Sequence, residues 1–409
     1  MSSHRPRLPG HRLLHAPGPT RVPDEVVAAM SRQPTDLADP RVAGVIAACE
    51  SGLKALLRTD RAEVFLYASN GHGGWEAVIS NLVGPGMHVL VPGTGHFSDS
   101  WAEQVQAFGG VALRTPYVEG LPIDPAAVEA ALRDDAAHRI DAVFVIHTDT
   151  ASGTTCDLAA LRRAMDAARH PALLVVDVVA SLAAAPFDMD ALGVNVAMGA
   201  SQKGLMVQPG LAFVAADARA LERARGNPTP RFYWDWERRR SEFSYRKFCG
   251  TPPLAHLAGL EAALELIAAE GLEAVHARHA RLAHAVHAAV DHWGEAGALR
   301  LYTRVPAARS VSVTAIQVAA GIDPEALRAV ARERFHVGIA GGLGPLHGRV
   351  FRIGHLGDMN EAMILGALAG VEAALGAQGI AHRRGGVEAA IAAFARRDAA
   401  GDARGSGAA

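Results

Sequence analysis

Two ionisable residues stand in apolar surroundings that would normally exclude them. Lys203 lies in GASQKGLMVQPG (199–210), just past the apolar run Val194 to Met198, and no acidic residue within the stretch can pair with its ammonium. Asp177 closes the run ALLVVD (172–177). Burying either charge alone is costly, so such groups are kept in water or given a partner. A lysine in that position can avoid the cost by condensing with an aldehyde. An aspartate there needs a cation or donors, either a structural arginine or a protonated ring nitrogen of a ligand. The serine-hydrolase elbow GxSxG is missed by one residue, because Lys203 stands where the last glycine belongs.

Three more loops carry polar or aromatic groups after apolar runs. In SNGHGGWEA (69–77) small residues precede a helix expected to begin near Gly74 or Trp75. The unpaired N–H groups and positive dipole end of a helix start suit a phosphate, although the loop taken alone reads more simply as an ordinary turn capped by Ser69 or Asn70. The loop matches neither the dinucleotide pattern nor the P-loop. In VPGTGHFSDSW (91–101) Phe97 could lie against a planar ligand or simply pack in the core. In HTDTASG (147–153) turn chemistry explains Asp149, Ser152 and Gly153, while Thr150 adds a hydroxyl for a polar ring. Pyridoxal 5'-phosphate meets these requirements together: its aldehyde would take Lys203, its ring nitrogen Asp177, and its phosphate the loop Asn70–His72.

The elements that must position these residues are legible as alternating runs. EVFLYA (63–68), MHVLVP (87–92), AVFVIH (142–147), ALLVVD (172–177), VNVAMG (194–199) and LAFVAA (211–216) are short and apolar throughout, as strands covered on both faces should be. Helical patterns such as DLAALRRAMDAAR (157–169) lie between most of them, which predicts a mostly parallel α/β sheet. Ligands of such sheets sit beyond the carboxyl ends of the strands, where Asp177 and Lys203 would share one cleft. From about Pro253 a single long helical pattern (253–293) leads into LRLYTR, SVSVTAIQV, a helix over 323–334, FHVGIA, VFRIGHL and a final helix to about 376. These read as a smaller α+β domain. The expected organisation is an N-terminal arm (1–15), a large cofactor-binding domain (16–255), a small C-terminal domain (256–382) and a frayed, flexible tail (383–409).

Bulk properties bound the function. The chain has 409 residues, half hydrophobic and a fifth charged, with a net charge of −2, so nothing biases it towards nucleic acid or an anionic membrane. No apolar stretch is long enough to span a bilayer, and neither end carries a signal core or address motif. Cys49, Cys156 and Cys249 are too few and scattered for a disulfide framework, which points to a reducing, cytoplasmic setting. The densest histidine group, His276, His279, His284 and His287, reads as a solvated helix face rather than a metal site, and no metal is expected.

With these motifs assembled, the chain resembles a class V aminotransferase of the alanine–glyoxylate and serine–glyoxylate branch. The resemblance runs from APGPT (16–20) to about residue 382, through SNGHGGWEA, GHFSDSW, LVVDVVASL, MGASQKGL, QPG, GTPP, GGLG and FRIGHLGDMNE in the expected order. It implies fold type I: a large domain with a mostly parallel, seven-stranded-type sheet and a smaller C-terminal α+β domain. It also implies a homodimer with active sites at the subunit interface. By the same resemblance Lys203 is the lysine that condenses with the cofactor, Gln202 its phosphate-holding neighbour and Asp177 the ring-nitrogen partner. Asn70, Gly71 and His72 form the phosphate loop, Phe97 stacks on the ring, Thr150 supplies a hydroxyl near it, and Thr251 reaches the phosphate of the neighbouring subunit. Arg352 grips the substrate carboxylate, a task suited to its planar fork. Phe248 stands where relatives can have a phosphate-binding tyrosine, and Asp149 replaces a more usual glutamate.

The implied activity moves the amino group of L-serine or L-alanine to glyoxylate or pyruvate, small amino-acid and 2-oxo-acid substrates. The residues themselves support only a small, carboxylate-bearing amino acid, through Arg352. Two alternatives use the same cofactor. A lyase or cysteine desulfurase needs a reachable loop cysteine, and Cys156 lies near the cleft loops but at a helix start. A non-catalytic regulator would be expected to carry a DNA-reading domain or to lack the lysine.

Overall fold

A computed structural model describes residues 10–405, with side chains described to residue 396. Its strands in chain order are β1 (Leu13–His15), β2 (Glu63–Ser69), β3 (His88–Leu90), β4 (Val111–Leu113), β5 (Ile140–Ile146), β6 (Thr148–Asp149) and β7 (Thr154–Thr155). They continue with β8 (Leu173–Asp177), β9 (Val196–Ala200), β10 (Gly210–Ala216), β11 (Leu299–Leu301), β12 (Val313–Val318), β13 (Val337–Gly341) and β14 (Val350–Gly354).

Seven strands form one sheet in the order β2-β10-β9-β8-β5-β3-β4. The pairs β3/β4, β3/β5, β5/β8 and β8/β9 are parallel, and β10 runs antiparallel to both β9 and β2. The apolar runs are continuous because both faces are covered. Val143, Val145, Leu174 and Val176 enter one core layer, while Ala142, Phe144, Ile146 and Val175 enter the other. By this alternation Asp177 faces the second layer, which also holds Trp75 and Trp101. The edge strand β4 has no apolar run to announce it: its three residues are only partly covered.

The second sheet has the order β1-β13-β14-β12-β11. Its first strand comes from the segment read as an arm: Leu13–His15 pairs in parallel with Val337–Ile339. Residues 1–9 of that segment lie outside the described residues. The pattern 253–293 is two helices, Leu254–Glu270 and Leu272–Gly294, because Gly271 between them adopts a φ of 86°, outside the helical region. The segment after His382, expected to fray, contains the helix Gly386–Gly405, with Ala390, Ala393 and Phe394 buried in the small core. Its start is fixed by Glu372, which accepts hydrogen bonds from the N–H groups of Gly385 (2.6 Å) and Gly386 (3.0 Å) and from Trp293 Nε1 (3.0 Å). Residues 406–409 of the tail lie outside the described residues.

The histidine stripe is not uniformly solvated. His279 is buried: its Nδ1–H donates to Val275 O at 2.7 Å, and its Nε2 accepts from the N–H of Gly357 at 3.0 Å. Among the described residues no group of three His, Cys, Asp or Glu side chains could hold a metal ion, and no helix is long and apolar enough to cross a membrane.

Candidate active site

Strand β8 ends at Asp177, and Lys203 follows its parallel neighbour β9 by three residues, so both side chains stand at the carboxyl end of the sheet. They line a cavity of about 250 Å³ together with Gly18, Asn70, Gly71, His72, Trp75, Phe97, Thr150 and Gln202. Lys203 is buried, and burial brings its amine down to about 7; the nearby charge of Arg352 acts in the same direction, and Asp177 opposes both. Its Nζ donates to Pro17 O. The segment Ala16–Thr20 is laid across the lysine loop: the N–H of Thr20 donates to Gln202 O (3.2 Å), and its hydroxyl to Lys203 O (3.2 Å). Gly18 is required there. It has a φ of 125°, and a Cβ would come within 2.5 Å of Lys203 Cδ and Cε.

Asp177 is buried, and that pushes its carboxyl up to about 7 despite the donors it faces. Oδ1 accepts from the N–H of Val179 at 2.6 Å, and Oδ2 from Trp75 Nε1–H at 2.7 Å. The sequence reading did not single out Trp75. A tryptophan at a helix start resembles ordinary core, and only the strand alternation that turns Asp177 towards its layer hints at the bond.

The phosphate-loop residues belong to a helix that starts earlier than expected, at Gly71. Asn70 is its N-cap: its Oδ1 accepts from the N–H of Gly73 (3.2 Å), and its carbonyl takes the N–H of Gly74 (3.1 Å). The amides of Gly71 and His72 are left at the open end, which favours an anion. His72 is exposed, with its ring 4.7 Å from that of Trp75. Gln202 lines the cavity, and its Oε1, an acceptor, is buried without a partner among the described residues. A buried polar group without a partner costs stability, so this side chain is poised for a ligand.

Phe97 forms part of the wall, edge-on to Trp75 (6.2 Å between centroids, 73° between planes). Its N–H donates to Asp149 Oδ2 at 3.0 Å. Asp149 also accepts from the Thr94 hydroxyl (3.2 Å) and the N–H groups of Ala151 (2.9 Å) and Ser152 (3.4 Å), and its burial raises its pKa. It therefore joins the Phe97 helix to the β6–β7 hairpin that carries Thr150. Arg352, on β14, does not line the cavity and sits behind this hairpin. Its Nη1 donates to Thr150 O (2.8 Å) and its Nε to Gly341 O (2.7 Å), leaving Nη2 without a hydrogen bond among the described residues. Burial lowers its pKa to about 10, with Asp149 opposing.

Thr251 is elsewhere. It is exposed and lines a separate groove of about 700 Å³ with Val42, Val45, Pro252, Leu254 and Leu257. None of Cys49, Cys156 and Cys249 lines the cavity, and the first two are buried.

Comparisons with known proteins agree on the kind of protein. The family model described as aminotransferase class-V matches residues 12–346. The L-aspartate–glyoxylate aminotransferase of Paracoccus denitrificans is 39% identical over 92% of this chain and 94% of its own length. The serine–glyoxylate aminotransferase of Methylorubrum extorquens is 37% identical over 96% of this chain and 98% of its own. Among solved structures, the ureidoglycine–glyoxylate aminotransferase of Bacillus subtilis superposes with a TM-score of 0.86 at 26% identity, covering 95% of this chain and 100% of that one.

Proposed function

The chain belongs to the class V aminotransferases, and from that premise we propose that it transfers the amino group of a small L-amino acid, L-serine or L-alanine, to glyoxylate or pyruvate. Glyoxylate is the favoured acceptor. The three relatives described above are named for different donors, aspartate, serine and ureidoglycine, and for this one acceptor. The observation that carries the reading is a buried lysine amine brought near neutrality across a small cavity from a buried carboxyl.

The family's cofactor is pyridoxal 5'-phosphate. The residues fit it: a reactive amine, a carboxyl for the ring nitrogen, open helix amides and the side-chain N–H groups of Gln202 for the phosphate, and Phe97 beside the ring. When bound, the cofactor supplies an aldehyde that carries the amino group and a ring that takes up the electron pair released at the substrate α-carbon. Lys203, whose amine burial brings to about 7 so that it can both take and give a proton near neutral pH, moves a proton from the α-carbon of the donor and returns one to the acceptor. Asp177 holds the proton on the ring nitrogen. Arg352 presents Nη2 to the substrate carboxylate and orients the α-carbon towards Lys203.

We also propose a homodimer. Thr251 serves the partner's phosphate from the apolar groove it lines, and a second copy covers that groove. Two sheets with separate cores support a large cofactor domain and a small domain. The boundary moves beyond 255, because Leu257, Leu260, Leu264, Ile267 and Val275 pack in the large core, and Leu13–His15 joins the small sheet rather than forming an arm. Three free cysteines support a cytoplasmic setting. A desulfurase reading has no cysteine at the cavity to carry it.

The test is a panel of L-serine, L-alanine, L-aspartate and L-cysteine against glyoxylate and pyruvate, with the cofactor-loaded protein. Glycine from glyoxylate, matched by the donor's 2-oxo acid, is expected. Sulfide from cysteine without glycine from any donor would overturn the proposal.

A further inference from the structure

Resting on the reading of Asp177 as the ring-nitrogen partner, we infer that Trp75 is a positioning residue that keeps Asp177 ionised and aimed into the cavity. Its indole N–H is the sole side-chain donor bonded to Asp177 among the described residues, at 2.7 Å. A carboxylate offers about four lone-pair directions. Trp75 takes one on Oδ2 and the Val179 N–H one on Oδ1, so the carboxylate plane is fixed and the remaining directions are left for the ligand.

The indole is itself immobilised. It is 2% exposed and stacks on Trp101 (5.3 Å, 13°), which packs in turn on Phe144 (4.7 Å). Its edge meets Phe97. Trp75 also lies in the first turns of the helix whose open amides face the phosphate position, so one rigid element sets both ends of the ligand. A phenylalanine there would fill the space but leave Oδ2 unpaired in a buried site. An unpaired buried oxygen favours the neutral acid, which cannot balance a protonated ring nitrogen.

Trp101 provides a matched control, because its Nε1 is buried without a hydrogen bond. Trp101→Phe makes the same truncation one ring away and removes no bond. The experiment titrates the absorption band of the bound cofactor with pH in the wild type, Trp75→Phe, Trp101→Phe, Asp177→Asn and the double variant of Trp75 and Asp177. Trp75→Phe is expected to raise the midpoint of the acid-side transition by about one unit and to weaken cofactor affinity about tenfold, the worth of one charge-assisted hydrogen bond. Trp101→Phe should leave the midpoint in place. In the Asp177→Asn background, Trp75→Phe should change affinity less than about twofold, since coupled groups lose their effect together.

An unmoved midpoint in Trp75→Phe, an equal shift in Trp101→Phe, or an undiminished affinity loss in the double variant would overturn the inference. A wild-type spectrum in Asp177→Asn would instead overturn the reading of Asp177. Should Trp75→Phe fail to fold, the indole N–H resonances of the five tryptophans decide. That of Trp75 should move when Asp177 becomes Asn, and a spectrum with no moved indole resonance would overturn the inference.

Discussion

Arg352 stands behind the Thr150 hairpin with two of its three guanidinium nitrogens, Nε and Nη1, bonded to backbone carbonyls and Nη2 without a hydrogen bond among the described residues. That arrangement fixes the guanidinium plane before any substrate arrives, so in the proposed reading the residue would contribute binding energy with little ordering cost. Arg352→Ala is therefore expected to raise the KM for both donor and acceptor at least ~10-fold, with a smaller fall in kcat. Arg352→Lys should recover little, because an ammonium cannot hold Gly341 and Thr150 and still meet a carboxylate. Steady-state kinetics on both variants check this, and unchanged Michaelis constants would place carboxylate binding elsewhere. Lys203 and Asp177 were legible in the sequence because a charge in an apolar setting stands out. Trp75 was not, because an aromatic residue beside small residues looks like core until the strand parity of its partner is known. Thr251 could be named from family likeness alone, and within one chain it lies apart from the cavity.

At the level of elements, the helix Gly71–Leu82 does two tasks. In the proposed reading its N-terminus offers amides to the phosphate, and the indole of Trp75, in its second turn, bonds Asp177. Asn70 sets where the helix begins. Asn70→Ala removes the cap and should cost ~1 kcal/mol of stability. It should also weaken binding of pyridoxal 5'-phosphate several-fold while leaving the affinity for pyridoxal, which lacks the phosphate, nearly unchanged. Parallel titrations of the two compounds measure this, and equal losses would mean that the cap acts only through folding. The strands over 63–68, 172–177 and 211–216 were readable because both faces of the sheet are covered, which makes their runs uniformly apolar. Strand β4 was not, because it is a half-covered edge of three residues. The break at Gly271 was hidden by apolar periodicity that continues on both sides. The last helix was hidden by an Ala-, Gly- and Arg-rich composition that reads as disorder until Glu372 and Trp293 anchor its first residues.

Across the molecule, several buried histidines are held neutral. His15 enters from β1 and bonds Gly354 O through Nδ1 (3.1 Å), while its buried Nε2 has no partner. His355, just after β14, bonds Val311 O (3.0 Å) and the Thr314 hydroxyl (2.9 Å). His279 accepts an N–H from Gly357 on Nε2, so a proton on that nitrogen would face another donor. His147 bonds the Ser181 hydroxyl (2.9 Å) beside the active site. Burial lowers His15 and His147 to about 4, and His279 and His355 to about 3. In the unfolded chain each would titrate near ~6.5. Between that pH and about 4 the unfolded state binds the four extra protons, so these groups make stability fall as the pH falls. Asp177 and Asp149 work in the opposite direction, because their raised values let the folded state keep protons that the unfolded chain has released above about 4. The histidines outnumber these carboxyls, and His287 is lowered by burial as well, so unfolding near pH 5 is expected to take up protons. Urea midpoints of the cofactor-free protein should fall steadily from pH 7 to 4.5. His279→Gln can keep both hydrogen bonds without titrating, and it should flatten that slope by about one proton. If His279→Gln keeps the wild-type slope, the acid sensitivity arises from other groups.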